Sequence, residues 1–285
     1  MTISAAGPFS KVIEFDGSKV RPRPGYRLGP DANALIMLNR VALLDNGTLA
    51  DKAHPLLIWA AESRLGQQAG LVRDVAARRG RALEALRARG QAVARMEAVP
   101  GWRLAVGHGN RANAHEIGLS LHGSYGWPVI PGSSLKGLAA AWVAASGADE
   151  TDIRRVLGGP RPARRGHERG DARQGTVRFL DAIPAGRPVP VAVDVLTPHV
   201  KPYYDAAATG ARRVPPAEYH NPVPVNFLTV SGTFAVDLHG PDADDVDQAA
   251  KWLTDAGDEL GAGAKTAAGY GYLKLTPLRD EESRA

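Results

Sequence analysis

The chain has 285 residues, of which 44% are hydrophobic and 23% charged, and its net charge is +5. These are ordinary values for a globular protein, so the length allows one large domain or two small ones with a hydrophobic core. The absence of cysteine excludes disulfides, thiolate nucleophiles and zinc sites that use sulfur. Residues 1–15 show no signal peptide, and no apolar run approaches the roughly 20 residues of a membrane span. We therefore expect a cytoplasmic protein without a membrane partner.

The first 100 residues are predicted to form an N-terminal extended and helical region. Residues 1–30 are basic and rich in Pro and Gly, which favours extended chain. Short helices are predicted in 31–44 and from Pro55. The segment 67–99 is predicted to be helical throughout, because its apolar residues recur at spacings of three, four or seven on one stripe.

From residue 101 the pattern changes, and we predict a second domain over 101–276 followed by a tail at 277–285. The sequence predicts two helices and a series of strands in the order β-α-β-β-α-β, with hairpin insertions. This order predicts an α+β, ferredoxin-like (RRM-like) domain, an arrangement that RNA-recognition folds share. The predicted elements are strand 102–106, hairpin 118–130, helix 135–145, strands 176–180 and 189–196, β structure over 225–238 with a turn at Ser231–Gly232, helix 244–260 and strand 270–275.

Positive charge is concentrated in an insert at about 154–175, which contains seven arginines and two acids. Its local charge of +5 equals the net charge of the whole chain. Arginine among Gly and Pro cannot form a core, so the insert is predicted to be a mobile loop that contacts a polyanion. The candidate contacts at its centre are Arg161, Arg164, Arg165 and Arg169.

A first motif, Ile-Pro-Gly-Ser-Ser-Leu-Lys-Gly at 130–137, lies where a predicted strand meets a predicted helix. Gly132 permits a close approach, and Ser133 or Ser134 can cap the helix. The free N–H groups of the first turn, together with Lys136, can hold a phosphate. An ordinary capped helix with a surface lysine is the alternative interpretation.

A second motif, Gly-Ala-Gly-Ala-Lys-Thr-Ala-Ala-Gly-Tyr-Gly at 261–271, lies between the acidic helix and the last strand. Its four glycines would let the backbone lie flat against a sugar–phosphate chain, and Tyr270 could offer a stacking face. It is not a Walker A loop, because Ala264 precedes Lys-Thr and the segment follows a helix. A plain loop is the alternative. The candidate contacts are Gly261, Gly263, Lys265, Thr266, Gly269 and Tyr270.

Together the two motifs resemble the helix-start motif and the C-terminal glycine-rich loop of the RAMP (repeat-associated mysterious protein) superfamily. Within it, Arg103–Gly109, Val177–Ala182, Asp194–Tyr204 and Pro224–Leu228 resemble the sixth subunit of Cmr (type III-B) CRISPR complexes. The resemblance covers about residues 100–276 and leaves the first 100 residues and the arginine insert unmatched.

The resemblance implies a ferredoxin-like subunit that packs beside other Cmr RAMP subunits along a guide RNA, near its 3′ side, and meets target RNA in antiviral defence. RNA cutting in such complexes belongs to a different subunit, so the resemblance implies a non-catalytic protein. His199 and Tyr203 are further candidates for RNA contacts, because imidazole and phenol can stack on bases or reach phosphates. Their alternative roles are a turn residue and a half-buried hairpin residue.

Two enzyme hypotheses compete with this interpretation. A metal-independent RAMP endoribonuclease that processes guide RNA would use His108, His115, His122 or His199 as general acid or base, but no two histidines have a spacing that proves a shared site. Asp181, Asp194 and Asp205 could hold a metal, but serve equally well as turn and cap residues. An acyl-serine enzyme would match Ser-x-x-Lys at 133–136, yet no Ser-Asp-Asn occurs. We therefore predict no catalytic residue, no metal site and no cofactor.

A scaffold role through the acidic segment 237–259 and the helix at 67–99 is compatible with RNA binding.

Overall fold

The computed structural model describes residues 3–16, 19–27, 32–50, 54–64, 67–109, 113–115, 117–159, 174–198, 200–210, 214–215 and 217–278. The described residues form a mixed α and β structure, and the strands and helices from both halves of the chain share one main hydrophobic core. No helix in these ranges is long and apolar enough to cross a membrane.

The N-terminal region contains strands as well as helices. An antiparallel sheet has the order β1-β4-β5, and β2 pairs with β3. The helix expected in 31–44 covers only α1 before the chain turns into β4, so the prediction of a helical extension is wrong in part. The elements are β1 (Ile3–Ala6), β2 (Ile13–Phe15), β3 (Val20–Pro22), α1 (Ala34–Asn39), β4 (Ala42–Asp45), β5 (Thr48–Leu49), α2 (His54–Glu62) and α3 (Ala69–Arg87).

The rest of the described chain builds a larger sheet with helices beside it. Its strand order is β12-β6-β11-β7, with β8 also paired to β11, and every pairing is antiparallel. Strands β9 and β10 form a separate antiparallel pair. The elements are β6 (Ala92–Pro100), α4 (Gly132–Ser146), α5 (Glu150–Val156), β7 (Arg178–Phe179), β8 (Ile183–Pro184), β9 (Val191–Leu196), α6 (Lys201–Thr209), β10 (Val225–Val230), β11 (Phe234–Gly240), α7 (Ala243–Glu259) and β12 (Leu273–Pro277).

The prediction of one helix over 67–99 is wrong beyond Arg87. Gly90 has a positive φ of 78°, and its N–H donates to the carbonyl of Arg87, so the helix ends in a turn. The following residues form β6, which pairs with β11 on one side and β12 on the other. Hydrogen bonding to two neighbouring strands outweighs the helix propensity of the Ala, Arg, Met and Glu residues in this segment.

Helices α4 and α7 cover one face of the sheet. Alternate residues of β11, namely Phe234, Val236 and Leu238, point to this face and are completely buried. Leu253 on α7 is equally buried, and the two predicted helices at 135–145 and 244–260 are confirmed. The Asp242 side chain accepts a hydrogen bond from the Asp245 N–H and begins α7.

Helix α3 lies against the opposite face, where a buried carboxylate with its arginines lies beside a small apolar cluster. Asp237 of β11 is 0% exposed and lies directly across the ladder from Arg95 of β6. The Arg95 Nε atom donates to Asp237 at 3.2 Å, and Arg79 of α3 approaches the same carboxylate at 3.5 Å. Val72 of α3 adds an apolar contact with Ile183 and Ala235.

The two ends of the arginine insert meet in a short stem. The Thr176 N–H donates to the Arg155 carbonyl at 2.9 Å, and the Val177 N–H donates to the Val156 carbonyl at 3.2 Å. Gly158 forms a bridge with Gln174. Arg155 is also committed to Asp245, at 2.7 Å. The predicted contact residues Arg161, Arg164, Arg165 and Arg169 lie outside the described residues.

Three other predicted β elements differ in extent. The predicted strand at 102–106 consists of two isolated bridges, from Leu104 to Val230 and from Ala105 to Ala264. The hairpin at 118–130 closes through backbone hydrogen bonds around a bridge between Leu121 and Pro128. The last strand begins at residue 273, because the preceding glycine loop occupies residues 270 and 271.

Candidate nucleic-acid interface

The glycine-rich segment 261–271 is a closed loop whose glycines allow close backbone packing. Its ends are joined by the Ala262 N–H, which donates to the Gly271 carbonyl at 2.7 Å. Gly271 has a φ of 82°, and a Cβ there would lie 2.0 Å from the Ala262 carbonyl oxygen. Gly261 is buried in the same turn, whereas Gly263 and Gly269 are exposed. Only part of the loop therefore presents open backbone.

Lys265 holds the loop's positive charge at a fixed place. Its backbone is left-handed, with a φ of 64°, and its Nζ atom lies 4.5 Å from the centre of the Phe227 ring. The His108 ring packs edge-on against the same Phe227 at 5.2 Å. Burial lowers the pKa of His108, and the Lys265 charge lowers it further. Lys265 is therefore the cation of this cluster.

Tyr270 is covered by other aromatic side chains. It is only 2% exposed, beneath Trp102 at 4.8 Å and beside Phe227 at 5.4 Å. The expectation of an open stacking face on Tyr270 is wrong, because this ring fills the space between the loop and β10. The exposed ring here belongs to Trp102, which is 56% exposed and has the Arg103 guanidinium 5.8 Å from its centre. Sequence reasoning missed Trp102, although an aromatic residue directly before an arginine was a visible signal.

Asp194 anchors this region from β9. Its carboxylate accepts from Thr229 at 3.0 Å, forms an ion pair with Arg103 and accepts from the Tyr270 hydroxyl. Burial and the Asp194 charge together raise the pKa of Tyr270. No group of acids and histidines in the part of the chain that the structure describes could hold a metal ion. Asp194 is thus a structural anchor.

The first N–H group of α4 is hydrogen-bonded to a side chain of the protein itself. The Gly132 N–H donates to Asp181 at 2.7 Å, and a Cβ on Gly132 would lie 2.2 Å from the Phe179 carbonyl oxygen. The residue before the helix is Pro131, which has no side-chain cap. The prediction that Ser133 or Ser134 caps the helix is therefore wrong, since a carboxylate from the neighbouring strand segment supplies the acceptor. Ser133 is exposed, and Ser134 and Lys136 are half-buried.

The two motifs are connected by a series of backbone hydrogen bonds. The Ala264 N–H donates to the Ala105 carbonyl, and the Ser120 N–H donates to the Val106 carbonyl. The Val129 N–H donates to Ser120, and Ile130 bridges to Ala182 beside the start of α4. If the two motifs form one phosphate-binding surface, Ser134 and Lys265 should lie on the same face of the domain, and this stays a prediction.

The third candidate segment is a helix. Tyr203 lies in α6, half-buried and edge-on to Tyr204 at 5.4 Å, so the alternative role of a hairpin residue is wrong. Pro202 stands in the first turn, where its missing N–H costs the helix nothing. Tyr204 is 63% exposed. His199 lies outside the described residues.

Two of the histidines considered for catalysis hold backbone in place. The His115 Nε2 atom accepts the Leu43 N–H at 2.8 Å, and the His122 Nδ1 atom accepts the Ser124 N–H at 3.1 Å. Burial lowers the pKa of both rings. His115 therefore holds its own loop to β4, and His122 holds the turn that follows it. In both rings the accepting nitrogen carries no proton.

The profile of the RAMP superfamily matches residues 90–274. The chain belongs to the RAMP superfamily. The match begins just before β6 and ends within β12, so this RAMP region includes the strand that the sequence pattern had assigned to the N-terminal helix.

Among curated proteins, the CRISPR system Cmr subunit Cmr6 of Pyrococcus furiosus is 38% identical over 109 residues. The alignment covers 35% of this chain and 31% of the relative, so the chain matches about a third of that protein's length.

Among solved structures, a chain of the type III-B Cmr-beta complex bound to cognate target RNA, determined by cryo-EM, is similar with a TM-score of 0.56 and 20% identity. That likeness covers 82% of this RAMP chain and 75% of the other, and it shows a shared fold. The crystal structure of Cmr6 from Pyrococcus furiosus is matched with a TM-score of 0.38 and 23% identity, over 65% of this chain and 99% of that one.

Proposed function

We propose that this chain is a non-catalytic, RNA-binding structural subunit of a type III-B (Cmr) CRISPR ribonucleoprotein that acts in antiviral defence. It would pack beside other Cmr RAMP subunits, bind the guide RNA near its 3′ side and meet target RNA. The observation that carries the proposal is the juxtaposition of Lys265, two exposed loop glycines and the exposed Trp102 within a RAMP region. The identity with Cmr6 over 109 residues supports the assignment to Cmr complexes.

We also propose that the larger sheet and its helices are a ferredoxin-like domain. Strand β6 is followed by α4, by the short strands β7 and β8, by β11, by α7 and by β12. Numbered within that series, the strands stand in the order 4-1-3-2 and are all antiparallel. This succession supports the β-α-β-β-α-β arrangement, with β9, α6 and β10 inserted before β11.

In this proposal the glycine loop binds RNA through charge, open backbone and stacking. Lys265 supplies a compact positive charge, and Gly263 and Gly269 let a phosphate approach the main chain. Trp102 supplies a face on which any base can stack. Arg103 is committed to Asp194, so it positions Trp102 and leaves the phosphate contact to Lys265.

The non-catalytic part of the proposal rests on the histidines. His115 and His122 use a ring nitrogen to accept backbone N–H groups. The His108 Nε2 atom is buried and lies against Phe227. A general acid or base must reach the proton that it transfers, and these rings serve the fold instead. The intact chain should not cut RNA, with or without divalent metal. Specific cleavage that a His122 or His199 substitution abolishes would contradict this expectation and favour the endoribonuclease.

RNA binding is tested by the anisotropy of a fluorescent single-stranded RNA at several salt concentrations. Trp102→Ala should weaken binding by about fivefold to a hundredfold, as expected for one lost stacking contact of ~1–3 kcal/mol. Lys265→Gln should reduce the salt slope by about 0.7, the value for one phosphate contact on a single strand. Lys251→Gln, on the exposed side of α7, is the matched control and should change neither quantity. Unchanged binding in both loop variants would refute this site.

We propose in addition that the arginine insert contacts phosphates. Replacing Arg161, Arg164, Arg165 and Arg169 with Gln should lower the salt slope of RNA binding by roughly two to three, because about 0.7 counterions are released per contact. If the insert binds an acidic neighbouring subunit instead, the same substitutions weaken complex assembly and leave the slope unchanged.

A further inference from the structure

A second basic surface lies far along the chain from the glycine loop. A groove of about 750 Å³ runs between α3 and the turn that follows β8. Ile183 and Ala235 form part of its floor, and Arg73 and Arg81 of α3 line one wall. Arg187 stands on the other wall. The whole of α3 precedes the residues that match the RAMP profile.

The groove carries more positive charge than the fold uses. Five arginines and two glutamates line it, and the buried Asp237 beneath them pairs with both Arg79 and Arg95, which leaves a formal charge of +2 on the lining and Asp237 together. One of the glutamates, Glu84, is paired with Arg87 at 2.7 Å.

Three arginines are left over on the walls. In the ranges that the structure describes, Arg81 and Arg187 form no ion pair, and Arg73 has only the adjacent Asp74 at 3.8 Å. Both members of that pair are about three-quarters exposed, so it neutralises little. Like charges gathered around one groove repel each other, and an anion bound between them offsets this repulsion.

The helix wall carries two arginines at a distance from each other, with small residues between them. Arg73 and Arg81 are eight residues apart, which corresponds to about 12 Å along the helix at 1.5 Å per residue. Between them the wall is built from Ala76, Ala77 and Gly80. A Cβ on Gly80 would have only an ordinary contact, 3.7 Å from an Arg95 nitrogen, so packing does not require a glycine there. Gly80 nevertheless costs the helix about 1 kcal/mol relative to Ala, and its missing side chain leaves this part of the groove wall open.

We propose that this groove binds the phosphate backbone of single-stranded RNA, as a contact surface separate from the glycine loop. The proposal rests on the RNA-binding function proposed above. Guanidinium groups pair with phosphate oxygens in a bidentate manner, and a chain that carries a charge at every nucleotide can present phosphates to several arginines along one groove. The described lining of alanine, glycine, isoleucine and leucine contains no aromatic ring for base stacking. The groove should therefore bind RNA through phosphate contacts, without preference for a base sequence.

The first experiment removes charge from the intact chain. Arg81→Gln combined with Arg187→Gln should lower the salt slope of single-stranded RNA binding by about 1.4 and weaken binding roughly tenfold near 0.1 M salt. Arg89→Gln combined with Lys251→Gln removes the same charge from exposed positions outside the groove, and should change the affinity by less than about twofold. Equal effects of the two double variants would overturn the proposal, because they would reduce it to net charge.

The second experiment fills the groove without changing charge. Gly80→Leu should weaken RNA binding severalfold, whereas Gly80→Ala should keep it, since its Cβ fits. Circular dichroism melting identifies any variant that fails to fold, and if Gly80→Leu fails, the charge variants decide the question. RNA binding that survives in Gly80→Leu and in the arginine double variant, with loss of binding to an acidic peptide, would assign the groove to a protein partner and overturn the proposal.

The failures of the two proposals are distinguishable. Loss of RNA binding in Trp102→Ala and Lys265→Gln, with normal binding in the groove variants, removes the groove and leaves the proposed function standing. Absence of RNA binding by the unmodified chain contradicts both.

Discussion

The two faces of the larger sheet use the same strands for different kinds of contact. Along β11, Phe234 and Val236 point to the apolar layer under α4 and α7, while Asp237 points to α3 and two arginines. In α7 an apolar stripe is buried at helical spacing, whereas Val72 and Leu83 are the only residues of α3 that are buried. The first face is stabilised by extensive apolar burial, which has no preferred direction, and the second by a smaller apolar cluster together with ion pairs that require one register. The α3 face should therefore be the weaker and the more sensitive to solution conditions.

The largest expected effect is on the apolar face. Phe234→Ala should reduce the free energy of unfolding by about 3–5 kcal/mol, because it leaves a cavity in a completely buried layer. Urea denaturation followed by circular dichroism measures this loss. Tyr272→Ala, at a ring that is 38% exposed, is the control and should cost less than about 1 kcal/mol.

The next effect is on the ionic face. Asp237→Ala leaves Arg95 and Arg79 without their shared carboxylate and should cost about 2–3 kcal/mol, less than a fully buried pair because the arginines are 13% and 21% exposed. Asp237→Asn keeps hydrogen-bond acceptance and should cost less than Asp237→Ala in the same urea experiment. A loss larger than that of Phe234→Ala would reverse the proposed ranking of the two faces.

A smaller effect is expected on the pH dependence of the unfolding free energy, to which the partly buried His115 contributes. Burial lowers the pKa of His115 in the folded state, so the unfolded chain binds the proton more readily. The stability contributed by neutral His115 is therefore present above its unfolded pKa of about 6.5, and is lost as pH falls through the folded pKa. His115→Gln should flatten the decline of the unfolding free energy between pH 7.5 and pH 5.5. An equally steep decline in this variant would assign the pH dependence to other groups.

The smallest effect is expected from salt. Raising the salt concentration from 0.05 M to 1 M screens the ion pairs of α3 and should speed hydrogen exchange of its amides by an amount worth at most about 1 kcal/mol. The amides of α7 should exchange as slowly as before, because their helix is held by apolar contacts. Equal responses of α3 and α7 would mean that the two faces do not differ in this way.

The sequence was informative where local pattern and tertiary contacts agree. The helix predicted at 244–260 lies within one residue of α7 at either end, and the glycine spacing located the loop at 261–271. The strand β6 was missed because Ala92 to Glu97 are good helix formers, and only the pairing with β11 and β12 selects the extended conformation. Similarly, no local signal shows that Tyr270 is buried, since its burial depends on how the loop meets β10.

The stem beneath the arginine insert has a consequence for how freely this segment can vary in length. Gly158 and Gln174 form a bridge, so a segment inserted between them leaves and re-enters the folded domain at neighbouring positions. The entropy of closing such a segment changes slowly with its length, by only about 0.6 kcal/mol for each doubling. Relatives could therefore lengthen, shorten or recharge this stretch at almost no cost to the folded domain. It is a position where natural selection, or a protein engineer grafting a new sequence, can alter what the surface presents while leaving the architecture behind it unchanged.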